Sequence, residues 1–99
     1  MTKESNLIIE ENFNDVMVKL KEIIYIIENG NRIQARINFE ELSKIYHTEI
    51  VNSNNKELFF LYFSLSDFLI YKMNKIVSVE ELIDSYNLIL YNKLKQNES

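Results

Sequence analysis

The sequence lacks cysteine and proline altogether, and Gly30 is its only glycine. Without cysteine the chain can form no disulfide, no thiolate metal site and no thiol nucleophile, a composition typical of the reducing cytoplasm. Glycine and proline mark most turns, and an all-β domain of this length would need many of them. The scarcity of both residues therefore predicts an all-α protein.

Positive charge is also in short supply. The 11 Lys and Arg residues are outnumbered by 15 Asp and Glu residues, which gives a net charge of −4. Because the phosphate backbone attracts cations and repels carboxylates, we do not expect nucleic-acid binding. Residues 1–12 also lack the basic and apolar regions of a signal peptide, so the predicted location is the cytoplasm.

Apolar side chains, in contrast, are abundant. Hydrophobic residues make up 46% of the 99 residues and aromatic residues 12%, which is enough to build one core without a metal or a disulfide. We therefore predict a single helical domain over residues 1–99, with flexible ends at about 1–11 and 96–99.

The first and last predicted helices have the clearest boundaries. Apolar residues recur at three- and four-residue spacing over about 14–28, and this segment ends where Gly30 suits the left-handed position of a helix C-cap. A second such segment covers about 78–95 and begins with Ser78 and Glu81, the S-x-x-E pattern of a capping box. Both segments are typical of amphipathic helices with one buried side.

Another amphipathic helix is predicted over about 38–51. Asn38 and Glu41 form a variant capping box at its start, and residues 33–37 are an alternative extension towards the N-terminus. The polar joint at residues 52–55 ends it, because short polar side chains compete with helical hydrogen bonds.

The segment from Leu58 to Met73 is unusually apolar and belongs to a predicted helix over about 56–75. Its apolar residues surround the helix, so the other helices enclose it or part of it is an exposed binding surface. Asp67 and Lys72 interrupt a run that is already shorter than the roughly 20 residues of a membrane span. We predict a bundle of three to four helices, in which a homodimer is one way to cover an exposed apolar side.

No arrangement of residues in the sequence points to catalysis. His47 is the only histidine, and Glu49 on the same predicted helix faces a different side. Ser64 and Ser66 have neither a nucleophile elbow around them nor a histidine close in sequence. We therefore predict no catalytic residue, no metal site and no cofactor, and we interpret His47 as a surface residue.

Residues Leu61 to Met73 read L-Y-F-S-L-S-D-F-L-I-Y-K-M. This stretch resembles the L-Y-[YF]-S-L-x-[DE]-F-x-x-x-x-M signature in the N-terminal helical bundle of Rap proteins, which are response-regulator aspartate phosphatases and regulator-binding proteins of Gram-positive bacteria. A weaker likeness covers about residues 16 to 76. The resemblance implies a helical bundle that binds a response regulator.

Two departures from the Rap pattern change what the resemblance implies. Rap phosphatases carry a glutamine that helps to position the attacking water, and the matching residue here is Glu57. An ionised carboxylate cannot donate a hydrogen bond, and it repels a phosphoryl group. Rap proteins also continue into tetratricopeptide repeats that bind a signalling peptide, whereas this sequence stops at Ser99. Phosphatase activity and peptide control are therefore not expected.

These observations predict a small non-catalytic protein that binds and modulates a bacterial protein, either a response regulator or a Rap-like receptor. The residues expected to contact the partner lie where the second and third helices meet: Asn55, Glu57, Leu58, Phe59 and Tyr62. A bacteriocin immunity protein and a phage-encoded inhibitor of a host protein are alternatives, because such proteins are often acidic, cysteine-free helical bundles. A phosphoaspartate hydrolase that uses Glu57 or a nearby Asn is the remaining enzymatic alternative.

Overall fold

The computed structural model describes residues 10–71 and 78–98. These residues form four α-helices, and a short π-helix continues the third of them. The α-helices are α1 (Glu10–Glu28), α2 (Arg32–Val51), α3 (Lys56–Ser66) and α4 (Val79–Glu98), and the π-helix is Asp67–Tyr71. None of the described residues lies in a β-strand. The prediction of an all-α bundle of three to four helices is confirmed.

The four α-helices form an antiparallel ring, in which each helix packs against the next one in the chain and α4 returns to α1. Contacts between opposite ends of neighbouring helices establish their directions. Asn12 near the start of α1 donates a hydrogen bond to Glu49 near the end of α2 (2.8 Å). Glu10 forms an ion pair with Lys93 near the end of α4 (3.7 Å). Helices α1 and α3 therefore lie diagonally opposite each other.

The core runs along the axis of this ring, and every α-helix contributes to it. Each helix buries at least one leucine almost completely, for example Leu20, Leu42, Leu61 and Leu82. On α1 the buried side chains follow the predicted spacing, and they are Phe13, Val16, Met17, Leu20, Ile23, Ile24 and Ile27. Full burial of such a side chain stabilises a fold by about 1.5–3 kcal/mol, so this core is the main source of stability.

Helix α1 ends at the predicted glycine. Gly30 has a φ of 82°, in the left-handed region that a residue without a Cβ enters at little cost. Its amide donates to the Ile27 carbonyl (2.9 Å), and the Asn31 amide donates to the Ile26 carbonyl (3.2 Å). These are the two hydrogen bonds of a Schellman motif, and they reverse the chain so that α2 starts beside the end of α1.

The start of α1 lies at Glu10, earlier than the predicted start at about residue 14. Glu10 and Glu11 occupy its first turn, where carboxylates interact favourably with the helix dipole. Residues 10 and 11 therefore belong to a helix and not to the predicted flexible end. Residues 1–9 lie outside the described residues.

The predicted start of α2 at Asn38 is wrong. The helix begins at Arg32, and the side chain of its N-cap, Asn31, accepts a hydrogen bond from the Gln34 amide (3.1 Å). Asn38 lies inside the helix, where its side chain accepts a hydrogen bond from the side chain of Gln34 (2.7 Å). The alternative extension through residues 33–37 is therefore the correct one.

The apolar segment after the second joint contains two kinds of helix. Helix α3 ends at Ser66 and the chain continues as a π-helix to Tyr71, so the prediction of one α-helix over about 56–75 is wrong at residues 67–71. Residues 72–77 lie outside the described residues. None of the described helices combines the length and the hydrophobicity that a membrane span requires.

Helix α4 starts with the predicted capping box. The Ser78 hydroxyl accepts a hydrogen bond from the Glu81 amide (3.1 Å), and the Glu81 carboxylate accepts one from the Ser78 amide (3.2 Å). The two residues thus satisfy two backbone donors at the helix start. At its other end α4 reaches Glu98, so residues 96–98 extend the helix beyond the predicted end at about 95.

Candidate protein-binding surface

Three phenylalanine side chains lie next to one another on the solvent side of α3, and we call Phe59, Phe60 and Phe63 the phenylalanine patch. Their exposed fractions are 43%, 59% and 38%. Residues at i, i+1 and i+4 lie within about 100° around a helix, so the three rings share one side. The Phe59 and Phe63 rings are in contact, with centroids 4.5 Å apart. The patch is thus a continuous apolar surface that is exposed to solvent.

The opposite side of α3 lies in the core. Leu58, Leu61 and Leu65 are completely buried, and Tyr62 is almost so. The sequence predicted apolar side chains all around this helix, and the structure divides them into a buried half and the phenylalanine patch. Because the buried half packs against α2 and α4, the patch is presented on a helix with a fixed orientation.

Tyr62 connects the buried half of α3 to α2. Its hydroxyl donates a hydrogen bond to Ser43 (2.8 Å) and lies 2.7 Å from Nδ1 of His47. A hydroxyl has one hydrogen, so with Ser43 as its acceptor the His47 ring donates from Nδ1. Burial raises the pKa of Tyr62 against the smaller opposite effect of Ser43, which keeps the hydroxyl protonated. The Tyr62 and Phe63 rings pack edge to face (5.4 Å), so this network positions the patch.

The joint between α2 and α3 is fixed by its own hydrogen bonds. Asn55 is the N-cap of α3, and its side chain accepts a hydrogen bond from the Leu58 amide (3.1 Å). The buried Ser53 hydroxyl donates to the Ile50 carbonyl (2.8 Å) and accepts from the Asn55 amide (3.3 Å). Asn54 adopts a left-handed φ of 61° between them. The beginning of the helix that carries the patch is therefore well defined.

Burial separates the five predicted contact residues. Phe59 is exposed, and Asn55 and Glu57 are half-buried. Leu58 and Tyr62 are core residues with exposed fractions of 0% and 2%, so they have no surface with which to contact a partner, and we remove them from the contact surface. Contact through Asn55, Glu57 and Phe59 stays a prediction.

The sequence-based selection missed Phe60 and Phe63. A signal for them was present, because Leu58, Leu61 and Leu65 recur at helical spacing and mark one side as core. Phe60 and Phe63, one and four residues after Phe59, therefore lie together with Phe59 on the other side of the helix.

Among the described residues, His47 and the two serines singled out in the sequence do not form a hydrogen-bonded group. His47 is exposed, as predicted, and its ring bonds to Tyr62. Ser64 is buried and Ser66 is half-buried, and neither side chain forms a hydrogen bond with His47. Within residues 10–71 and 78–98, no three His, Asp or Glu side chains lie close enough together to hold a metal ion.

Arg32 connects the π-helix to the start of α2. Its guanidinium lies over the Phe68 ring, 4.3 Å from the centroid, and donates a hydrogen bond to the Phe68 carbonyl. Stacking and hydrogen bonding together suit a planar guanidinium, which a lysine would not replace. The stretch that resembles Rap proteins begins in α3 and continues into the π-helix. It buries Leu61, Leu65 and Leu69 on its core side.

The fold and this surface define a small antiparallel helical bundle with an exposed aromatic side. Comparison of the chain with protein-family models, with curated proteins and with solved structures gives no significant match. The likeness of residues 61–73 to the Rap signature therefore stays a hypothesis drawn from the sequence.

Proposed function

We propose that this protein is a small non-catalytic regulator that binds another bacterial protein through the phenylalanine patch, and that the partner is a response regulator or a Rap-like receptor. The observation that carries the proposal is the exposure of Phe59, Phe60 and Phe63 on one side of a helix whose other side is fixed in the core. Aromatic side chains dominate interface energetics, and exposed apolar patches on small proteins mark interaction sites.

The area of the patch sets the strength of the expected complex. Each ring is roughly half exposed. Covering three such rings is worth on the order of 5–10 kcal/mol before the entropic cost of association is subtracted. The patch alone therefore supports a moderate complex, and a tight one requires polar contacts around it. Asn55 and Glu57, at the start of α3, are half-buried polar residues in a position to supply them.

Glu57 favours binding over catalysis. It lies in the first turn of α3, where a carboxylate interacts favourably with the helix dipole. In the alignment with Rap proteins it stands where their glutamine positions the attacking water. An ionised carboxylate accepts hydrogen bonds but donates none, and it repels the charge of a phosphoaspartate. We therefore expect this protein to bind its partner without dephosphorylating it.

Isothermal titration calorimetry with purified response regulators and Rap-like receptors tests the proposal. The wild type should bind at least one of them, and Phe60→Ser should weaken that complex at least tenfold, because a central aromatic contact contributes about 2 kcal/mol or more. The matched control is Ile33→Ser, which removes an exposed apolar side chain from the start of α2. Equal losses in both variants, or no binding to any member of the panel, would contradict the proposal.

A second measurement separates binding from catalysis. The lifetime of the phosphorylated regulator should be unchanged by the wild-type protein at concentrations that saturate the complex. A shortened lifetime would make this protein an enzyme and end the non-catalytic proposal. If only Glu57→Gln shortens the lifetime, the alignment of Glu57 with the Rap glutamine gains direct support.

A further inference from the structure

The turn between α1 and α2 contains the only Asn-Gly pair of the sequence, Asn29–Gly30. An asparagine followed by glycine is prone to deamidation, because glycine has no side chain to hinder the approach of its amide nitrogen to the side-chain carbonyl carbon of the asparagine. Both residues are exposed, and a Cβ placed on Gly30 would have no surrounding atom within 4 Å. Water therefore has access to this pair.

Deamidation of this pair needs no enzyme. The Gly30 amide nitrogen, after loss of its proton to hydroxide, attacks Cγ of Asn29, and Nδ2 leaves as ammonia. The resulting five-membered succinimide takes up one water at either of its two carbonyl carbons. Opening at one carbonyl gives aspartate at this position, and opening at the other gives isoaspartate, in which the main chain runs through the former side chain.

In the folded protein both reacting groups are held in hydrogen bonds. The Gly30 amide donates to the Ile27 carbonyl (2.9 Å), which stabilises the protonated nitrogen over the anion that attacks. Nδ2 of Asn29 donates to the Tyr25 carbonyl one turn earlier (2.9 Å), so the side-chain amide is held back along α1 and away from Gly30. Attack therefore requires that the C-cap of α1 opens.

We propose that Asn29 is a deamidation site whose rate is set by opening of the α1 C-cap. The observation that carries the proposal is the engagement of both reacting groups within an exposed Asn-Gly turn. Local opening of a helix end costs less free energy than global unfolding, so the reaction proceeds in the folded population. The proposal does not depend on the partner of the phenylalanine patch.

The products of deamidation weaken the cap. A carboxylate at position 29 has no hydrogen to donate to the Tyr25 carbonyl, and its charge lies at the negative end of the helix dipole. The last turn of α1 contains no basic residue to offset that charge. In isoaspartate the main chain is one atom longer, which displaces the Gly30 amide from the Ile27 carbonyl. Each deamidated molecule therefore keeps a weaker turn between α1 and α2.

Incubation of the purified protein in mildly alkaline buffer, with and without denaturing urea, tests the proposal. Tandem mass spectrometry of tryptic peptides follows each asparagine separately, and Asn29 lies in the fragment 22–32. In urea Asn29 should be converted faster than any other asparagine, including Asn52, which Ser53 follows. In the folded protein its conversion should be at least about tenfold slower, which corresponds to about 1.4 kcal/mol for opening of the cap.

Two variants separate opening of the cap from global unfolding. Ile26 is half-buried and its carbonyl accepts from the Asn31 amide (3.2 Å), so Ile26→Ala should loosen the cap. This variant should deamidate at least about threefold faster than the wild type when folded, and equally fast in urea. The matched control is Ile50→Val, which removes a buried methyl group at the far end of the bundle and should leave both rates unchanged. Circular dichroism confirms that both variants fold.

Three results would overturn the proposal. Conversion of Asn29 in urea that is no faster than that of Asn52 would exclude the site itself. Equal rates in folded and denatured protein would exclude control by the cap. Equal acceleration by Ile26→Ala and Ile50→Val would show that only global unfolding exposes the pair.

Asn29→Asp tests the consequence of the reaction. The added charge at the end of α1 should raise the equilibrium constant of unfolding by about two- to fivefold, measured by urea denaturation. An unchanged constant would contradict the weakening of the turn.

Discussion

The seam between α1 and α2 and the phenylalanine patch both reach the surface of one bundle, yet their side chains are satisfied in different ways. Along the seam, polar groups pair within the protein: the Tyr46 hydroxyl donates to Asp15 (2.6 Å), and Asn12 donates to Glu49 (2.8 Å). In the patch, the Phe59 and Phe63 rings contact each other, and all three phenylalanine rings leave much of their area to water. A surface whose groups are already paired holds the fold together, whereas a surface with uncovered apolar groups is available to another molecule.

The largest expected effect is on the free energy of unfolding, and it comes from the buried side of the helix that carries the patch. Leu61 is completely buried, and Leu61→Ala should lower the free energy of unfolding by about 2–5 kcal/mol because it leaves a cavity. Its neighbour Phe60 is 59% exposed, and Phe60→Ala should change that free energy by about 0.5 kcal/mol or less. Urea denaturation followed by circular dichroism measures both. Similar losses would mean that the phenylalanine patch belongs to the core.

A smaller expected effect depends on pH and comes from the Tyr46–Asp15 hydrogen bond in the seam between α1 and α2. The hydrogen bond to Asp15, with burial as the next cause, raises the pKa of Tyr46 from 10.0 to about 12. A raised folded-state pKa stabilises the fold below the unfolded pKa, and that stabilisation is lost as the pH rises through the folded value. The same hydrogen bond is the main cause that lowers the pKa of Asp15 below 3.8, against partial desolvation. Its contribution is present above 3.8 and is lost as the pH falls through the lowered value.

Tyr46→Phe removes the Tyr46 contribution and the part of the Asp15 contribution that comes from this hydrogen bond, and it leaves the part that comes from Lys19. The wild type should lose stability between about pH 9 and pH 12, and the variant should lose less over the same range. Burial also raises the pKa values of Tyr62 and Tyr86, but these residues contribute equally to both proteins, so the difference isolates Tyr46. Urea midpoints measured across this range provide the comparison. Identical pH profiles would show that the Tyr46 hydrogen bond to Asp15 does not contribute to stability.

The parts of the fold that sequence reasoning predicts correctly are those set by local chemistry. Gly30 ends α1 because it alone lacks the Cβ that opposes a left-handed φ. Ser78 and Glu81 start α4 because their side chains reach each other's backbone amides. Such features involve residues a few positions apart, so they are visible without knowledge of the tertiary structure.

The misplaced start of α2 has a tertiary cause. Ile33 and Ile37 are 78% and 45% exposed, and Ala35 is the buried residue between them. Over these two turns the apolar pattern therefore marks the solvent side of the helix, and the buried side is marked only by a small residue. Asn38 then resembles a first cap, although Asn31, next to the glycine, is the real one.

Only part of the candidate surface was predicted from the sequence. The rotation of α3 about its own axis determines which of its side chains are exposed. Tyr62 and Phe59 are both aromatic and lie three residues apart, yet one is buried and the other is 43% exposed. Hydrophobicity does not distinguish them. The rotation is set by Leu58, Leu61 and Leu65, which pack against the neighbouring helices, and by the hydrogen bonds of Tyr62 to α2.

The ring order of the helices also has a consequence for how the chain opens. Most neighbours in space are neighbours in sequence, but the seam between α1 and α4 joins distant segments: the Tyr86 hydroxyl donates to the Met17 carbonyl across 69 residues (3.1 Å). Because loop-closure entropy grows with separation, we expect α4 to dock last and to detach first. Its amides should therefore exchange with deuterium sooner than those of α2, and uniform protection would instead mean that the bundle opens as one unit.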